Sequence, residues 1–350
     1  MSDLGDVLAL WRRVKPSGEP FVLATIVAVE GSSYRRPGAR MVVTSQGERA
    51  GTISGGCLEA EVAKKAAWLV RHGPVVEPFK TSFDLDDEVP SGSGCGGTVH
   101  ILLEPRESAA ELLEELDSAW KRRSGLGVAT VISGPDTGRR GIQTEDGLSE
   151  GLADLQDLAE GALRSRESSL YSTETCEIFL EYVPPRRGIF LFGAGDDAIP
   201  MVTFAGALGW YAVVIDGRLN LARPERFPEA SKVLALADAE AGGLEIMEQD
   251  AVVLMTHSYE QDLRALRMAL ATRPAYVGML GPRIRSERLV RQAAKELKLD
   301  YESTMSEIHA PLGMEIGRDQ AAVIALAAVA EIQEVFCQER ALAARCGLLL

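Results

Sequence analysis

The sequence predicts an α/β protein in which a doubly wound parallel sheet fills the C-terminal half and an N-terminal α+β domain precedes it. Three observations carry this. Beyond residue 186, apolar strand-like segments alternate with amphipathic helical ones; before it, strand-like segments come as hairpins between helices; and Pro184-Pro185-Arg186-Arg187 stands where the rhythm changes. With 350 residues and 46% hydrophobic content there is material for two cores, expected over 1–185 and 186–350.

In order, "LGDVLALWRRV" has helical spacing, and "FVLATIVAVE" reads as a β-branched strand ending at the turn "GSSYRRPG". "ARMVVTSQGERAGTIS" reads as a hairpin about Gln46-Gly47. "CLEAEVAKKAAWLVRHG" is a helix stopped at Gly73-Pro74. "EPFKTSFD" and "TVHILLEP" read as strands flanking the long acidic, glycine-rich loop "DLDDEVPSGSGCGG", a length at which loops tend to be functional. A helix "ESAAELLEELDSAWKRR", a strand "GVATVIS" and the closing strand "CEIFLEYVPP" complete the first half. No internal repeat is evident. In the second half, "GIFLFGAGDDAIPMVTFAGALG", "WYAVVIDGR", "KVLALAD", "DAVVLMTHSYEQDLRALRMAL" and "AYVGMLGPRIRSERLVRQAAKEL" alternate strand and helix, and "RDQAAVIALAAVAEIQEVFC" is a long Ala-rich helix.

A formal charge of −14 argues against a nucleic-acid or anionic-membrane partner. No apolar run approaches a membrane span and the start "MSDLGDVLAL" lacks a signal-peptide pattern, so a cytoplasmic location is expected. The five scattered cysteines fit reduced thiols.

Gly193-Ala194-Gly195-Asp196-Asp197-Ala198 follows a strand and opens a helix, and Asp216 ends the next strand. That is the context of the Rossmann dinucleotide fingerprint, so a Rossmann-like C-terminal sheet is expected. Asp196 and Asp197 stand where a phosphate would approach, which weighs against phosphate binding. Asp216 suits a ribose hydroxyl, while Arg218 and Arg223 suit a phosphorylated ligand. His257, just past a strand at the carboxyl end of the sheet, and His309, in a glycine-punctuated loop, are further site candidates. His72 reads as a helix C-terminal residue and His100 as an ordinary strand position.

Two cysteines lie among glycines. Cys57 follows Gly55 and Gly56 and stands at or beside a helix N-terminus, where the dipole favours thiolate; Cys95 lies between Gly94 and Gly96. Each reads either as a ligand contact or as a small residue in a tight turn. Cys176, Cys337 and Cys346 read as packing or surface residues, and no metal-site spacing is present. Arg35, Arg36 and Arg40 surround a Pro-Gly turn and suit phosphate recognition, or a solvated turn.

Together these segments resemble the XdhC/CoxI family, the accessory factors of xanthine dehydrogenase and related molybdenum hydroxylases. "GSSYRRPGARM", "GTISGGCLEAEV" and "GCGGTVHILLEP" resemble its N-terminal signatures. "LFGAGDDAIP", "VVIDGR", "ARPERFP", "THSYEQDLRAL", "YVGMLGPRIRSERL" and "IHAPLGMEIG" resemble its Rossmann-type ones. The likeness is thinnest from Arg106 to Tyr182, and Asp196 stands where the family commonly carries His. The resemblance implies a chaperone that binds the molybdenum cofactor, protects it during sulfuration and delivers it to a xanthine dehydrogenase-type hydroxylase, with a cofactor sulfurase as a further partner. It implies that Cys57 contacts the molybdenum end, that Cys95 assists, and that the arginines and the glycine-rich helix N-terminus receive the phosphate. The competing reading is an NAD(P)-dependent oxidoreductase. The apolar end "CGLLL" leads us to expect a homo-oligomer such as a dimer.

Overall fold

The computed structural model describes residues 3–56, 58–80, 96–147, 149–151, 153–317 and 319–346. It divides into two compact units, one reaching Pro185 and one over Arg186–Cys346.

The first unit opens with α1 (Asp3–Val14), whose Val7, Leu8, Trp11 and Val14 form a buried helical stripe. There follow β1 (Phe21–Glu30), β2 (Arg40–Thr44), β3 (Arg49–Gly51), α2 (Glu59–Leu69), β4 (Val75–Lys80) and β5 (Thr98–Pro105), the strands forming an antiparallel sheet of order β3-β2-β1-β5-β4. The period of two along β1 sends Val22, Ala24 and Ile26 to the core under α2 and Leu23 to the core under α1.

The same sequence of elements then recurs. It runs α3 (Arg106–Arg122), β6 (Leu126–Val131), β7 (Arg140–Thr144), β8 (Ser149–Gly151), α4 (Ala153–Ser165), β9 (Ser169–Ser172) and β10 (Glu177–Val183), and the sheet order is β8-β7-β6-β10-β9. The expectation of no internal repeat is therefore corrected. The copies agree in backbone detail: Ile26 N–H donates to Ala39 O at 2.9 Å and Gly38 N–H to Ile26 O at 2.8 Å, while Val131 N–H donates to Arg139 O at 2.9 Å and Gly138 N–H to Val131 O at 2.8 Å. Gly38 and Gly138 hold φ of 93° and 91°, a turn that needs glycine in both copies.

Two reciprocal ion pairs fasten the halves. Arg40, opening β2, grips Glu181 of β10, and Arg140, opening β7, grips Glu104 of β5. All four side chains are at most 6% exposed. Around them α1 and α3 share one core with residues of both sheets, among them Leu23, Val42, Leu126, Val128 and Ile142. Helices α2 and α4 each cover the other face of their own sheet.

The second unit contains β11 (Gly188–Phe192), α5 (Ala198–Ala207), β12 (Tyr211–Asp216), β13 (Lys232–Ala235), α6 (Leu236–Asp238), β14 (Ala251–Leu254), α7 (Tyr259–Thr272), β15 (Tyr276–Met279), α8 (Arg283–Leu297), α9 (Tyr301–Ser306), β16 (Ile308–His309) and α10 (Ala321–Cys346). The sheet is parallel with order β13-β12-β11-β14-β15-β16, the Rossmann order. Ile189 and Leu191 pack on α5 and α10, and Phe190 and Phe192 on α7 and α8, which is why these strands read as continuous apolar runs. By length and composition, Ala321–Gln338 of α10 is apolar enough to cross a membrane, more than the sequence reading allowed. Its Ala325, Ala328, Val329, Ile332 and Phe336 are buried in the sheet's core. The terminal "GLLL" lies outside the described residues.

Candidate functional site

In the first unit three loops meet at one end of the β3-β2-β1-β5-β4 sheet. Residues 31–39 leave β1, residues 52–58 join β3 to α2, and Gly96-Gly97 lead into β5. A Cβ on Gly97 would strike the carbonyl oxygens of Ser32 and Glu30, so the two backbones approach this closely because residue 97 is glycine; a Cβ on Gly31 would lie 3.3 Å from the Cα of Gly97. A Cβ on Gly55 would lie 3.9 Å from the Tyr34 ring, which is 70% exposed. Gly55 and Gly56 thus stand beside the loop bearing Arg35, half-buried, and Arg36, exposed. Cys57 and Cys95 lie outside the described residues; α2 begins at Glu59, two positions after Cys57 in the chain.

The turn before α2 is held by a network that sequence reasoning missed. Glu59 is 7% exposed, and its carboxylate accepts from Ile53 N–H at 3.2 Å, from Ser54 N–H at 2.8 Å and from the Ser54 hydroxyl. Ser54 Oγ accepts in turn from Gly56 N–H at 3.2 Å and Leu58 N–H at 3.1 Å. Burial alone would raise the Glu59 carboxyl; the Ser54 hydroxyl and these amides outweigh it and hold it below its ordinary range. The signal was an acid at the helix start five residues after Ser54, a spacing outside the usual capping box.

Arg40 is a correction. Expected beside Arg35 and Arg36 as a phosphate ligand, it is buried and committed to Glu181, and also donates to Gly38 O at 2.9 Å. His100 Nε2 lies 3.0 Å from Glu30 Oε1 near the three loops.

In the second unit Gly193, Gly195, Asp216 and His257 gather at the carboxyl end of β11, β12 and β14. Gly193 has φ of 135°, and a Cβ there would lie 2.5 Å from Met255 O. Asp216 departs from its expected role toward a ribose. It is 1% exposed and accepts from Ala194 N–H at 2.7 Å, Arg218 N–H at 2.8 Å, and Arg218 Nε and Nη2 at 2.9 and 2.7 Å. Burial would raise its carboxyl, but Arg218 and the two amides outweigh burial and lower it. Over the turn, a Cβ on Gly195 would collide with Asp197 Oδ1, and Arg226 ties Asp196 Oδ1 at 2.6 Å to Ala194 O at 2.5 Å.

His257 holds a left-handed φ of 60° with Nε2 3.3 Å from Asp197 Oδ2. Asp262, fully buried, fixes this loop by accepting from Thr256 N–H at 3.1 Å, Thr256 Oγ1 at 2.6 Å and Arg285 Nη2 at 2.6 Å. His309 is placed elsewhere: its ring stacks on Tyr276 at 4.3 Å, and its Nδ1 lies 3.1 Å from Glu331 of α10. Glu331 also accepts from the Tyr276 hydroxyl at 2.6 Å and from Gly313 N–H at 2.8 Å. Burial would raise the Glu331 carboxyl, but Tyr276, Gly313 and His309 outweigh burial and lower it. Among the described residues no group of three His, Cys, Asp or Glu is placed to hold a metal ion.

A pH dependence follows for Asp216. Its folded carboxyl lies below the unfolded value of about 3.9. The stability it contributes is therefore full above that value and is lost as pH falls through the lower, folded value. In melting curves taken from neutral pH down to about 2, the wild type is expected to fall more steeply on the acid limb than Asp216→Asn. Parallel limbs would refute the linkage.

Two family models match the chain: the XdhC and CoxI family over residues 15–79, and the XdhC Rossmann domain over residues 189–332. A Bacillus subtilis protein, named there as a probable subunit of xanthine dehydrogenase, is 29% identical over 90% of this chain and 92% of its own length. The Escherichia coli molybdenum cofactor insertion chaperone PaoD is 26% identical over 91% of this chain and 84% of its own. A crystal structure from Bacillus halodurans, described as a xanthine dehydrogenase, superposes with a TM-score of 0.77 at 28% identity, covering 97% of this chain and 96% of that one. The N-terminal model covers the first two of the three converging loops and the C-terminal one the whole glycine turn and its histidines, and on this ground the chain belongs to the XdhC and CoxI family.

Proposed function

We propose that the protein is an accessory chaperone that binds the molybdenum cofactor transiently and delivers it to a xanthine dehydrogenase-type molybdenum hydroxylase. The observation that carries the reading is the meeting of three glycine-bearing loops at one end of the first sheet, in a chain whose relatives include a named cofactor insertion chaperone. The cofactor is cargo, and the residues suit its chemistry. Arg35 and Arg36 offer planar donors to its phosphate, the glycines let a ligand approach the backbone, and Cys57, with Cys95 assisting, offers a sulfur to the molybdenum end. A cofactor sulfurase as second partner, a cytoplasmic location and a homo-oligomeric state such as a dimer belong to the same reading.

The oxidoreductase alternative is disfavoured by the glycine turn. A dinucleotide needs the Ala194–Gly195 backbone for its pyrophosphate and Asp216 for its ribose. Asp197 crowds Gly195, and the Asp216 carboxylate is saturated by Ala194 and Arg218.

The test is loading. Incubated with free molybdenum cofactor and passed through gel filtration, the wild type is expected to retain molybdenum by elemental analysis, and Cys57→Ala about tenfold less at limiting cofactor, the loss of one metal–thiolate contact. Equal retention would exclude Cys57 as the contact. No retention by the wild type would exclude the chaperone reading.

A further inference from the structure

The duplication gives the second half a counterpart of the sheet end at which the three loops meet in the first half, and its chemistry is inverted. Arg36 and Asp136 occupy equivalent points of equivalent turns: Ala39 N–H donates to Arg36 O at 3.2 Å, and Arg139 N–H donates to Asp136 O at 3.0 Å. The long connections that carry Cys57 and Cys95 have no counterpart of equal length, although the short β9–β10 connection ends in Cys176, which lines a crevice there. Residues 52–58 separate β3 from α2 but only Leu152 separates β8 from α4, and residues 81–97 separate β4 from β5 but only 173–176 separate β9 from β10. What remains is a crevice of about 660 Å³ with an apolar floor that includes Val131, Leu155 and Ile178 and a rim that includes Asp136, Asp154 and Asp157. Asp136 meets Arg139 at 2.9 Å, an exposed pair that an incoming cation can exchange at little cost.

The crevice opens onto an edge strand. Tyr171 lines it and belongs to β9, which ends its sheet, pairs only with β10 among the described strands, and exposes all four of its residues, Leu170 by 51% and Tyr171 by 46%. The equivalent edge strand β4 carries Glu77, Pro78 and Lys80, residues that discourage strand addition. Strand β9, Ser-Leu-Tyr-Ser, carries none of these.

We propose that β9 and the adjoining crevice dock an extended basic segment of a partner protein. The segment adds as a strand to β9 through its backbone and sets arginine or lysine side chains against Asp136, Asp154 and Asp157, their aliphatic stems on the apolar floor. Charge complementarity selects this occupant: Asp136, Asp154 and Asp157 make the rim acidic, and a basic extended segment is drawn to it. The inference does not depend on the cofactor reading.

The test uses the full chain and a fluorescein-labelled acetyl-Val-Arg-Val-Arg-Val-Arg amide, followed by anisotropy at physiological ionic strength. Binding is expected to weaken about tenfold or more when alternate backbone nitrogens of the peptide are methylated, and equally for the protein variant Asp136→Asn/Asp154→Asn/Asp157→Asn. A variant removing the same charge elsewhere, Glu245→Gln/Glu248→Gln/Glu302→Gln, is expected to stay within about twofold. Equal weakening by both protein variants would reduce the effect to net charge and overturn the proposal. Equal binding of the methylated peptide would overturn strand addition, and agmatine binding as tightly as the peptide would make the crevice a small-cation pocket instead. If the first variant does not fold, the methylated peptide on the wild type still decides.

Discussion

Replacing Glu104 by glutamine is expected to cost about 3–5 kcal/mol of stability in urea unfolding, because it leaves Arg140 charged and unpaired in the interior. Both side chains are almost fully buried, at 2% and 0% exposure. Glu104 also accepts from Ser108 Oγ at 2.9 Å, and Arg140 donates to Gly138 O at 3.2 Å, so one substitution disturbs the start of α3 and the turn before β7 together. Glu181→Gln should behave alike, since it strands Arg40 at the equivalent place in the other half. Two controls fix the meaning. Glu61→Gln, which breaks the exposed pair with Lys65 on α2, should change stability by less than about 0.5 kcal/mol. The joint replacement Glu104→Leu/Arg140→Met should recover part of the loss, since an apolar pair of similar volume avoids the stranded charge. A loss below about 1 kcal/mol for Glu104→Gln would mean that the buried pairs do not fasten the halves.

These two pairs also explain what the sequence hid. The Rossmann half is legible because its central strands β11, β14 and β15 are buried on both faces and so read as unbroken apolar runs, and because the glycine turn follows β11 directly. The duplication is not, because the copies share few letters. Gly38, Arg40, Thr44 and Gly47 answer at the same spacing to Gly138, Arg140, Thr144 and Gly147, but the β3–α2 and β4–β5 connections differ in length from β8–α4 and β9–β10, and the sheet positions need only be apolar. Arg40 was misread for the same reason. It lies a few residues from Arg35 and Arg36 in the sequence, yet it opens a strand in which every residue is buried, and its partner lies in the other half. Asp216 was placed correctly at the end of β12, but its role depends on Arg218, two residues on, folding back over it. Asp262 and Arg285 lie 23 residues apart, and nothing in the letters signals that they bond one another.

The two units therefore use one device at a strand-to-helix turn. In each, a buried carboxylate from the helix after the turn gathers backbone and hydroxyl donors of that turn: Glu59 for Ile53 and Ser54, Asp262 for Thr256. The carboxylate organises a short loop that glycine or a left-handed residue would otherwise leave loosely specified.

For the first unit this leads to the second large effect. Glu59→Gln keeps the size of the side chain but removes its charge and one of two accepting oxygens, so the hydrogen bonds from Ile53, Ser54 N–H and Ser54 Oγ cannot all persist. Hydrogen bonds to a charged group contribute about 1.5–3 kcal/mol each. Loss of one that acts on the turn alone predicts a tenfold or greater fall in molybdenum retained at limiting cofactor. Glu59 acts through the turn, as a positioning residue, so retention is paired with a second readout: the rate of iodoacetamide labelling at Cys57, followed by peptide mass spectrometry across pH. The wild type and Glu59→Gln are expected to differ in that profile, whereas Glu104→Gln, destabilising but remote from the turn, should keep the wild-type profile under conditions where it remains folded. Ser54→Ala, which removes the acceptor for Gly56 and Leu58, should shift both readouts in the same direction as Glu59→Gln. If Glu59→Gln retained full loading and an unchanged labelling profile, the Ser54–Glu59 network would be a helix cap and nothing more.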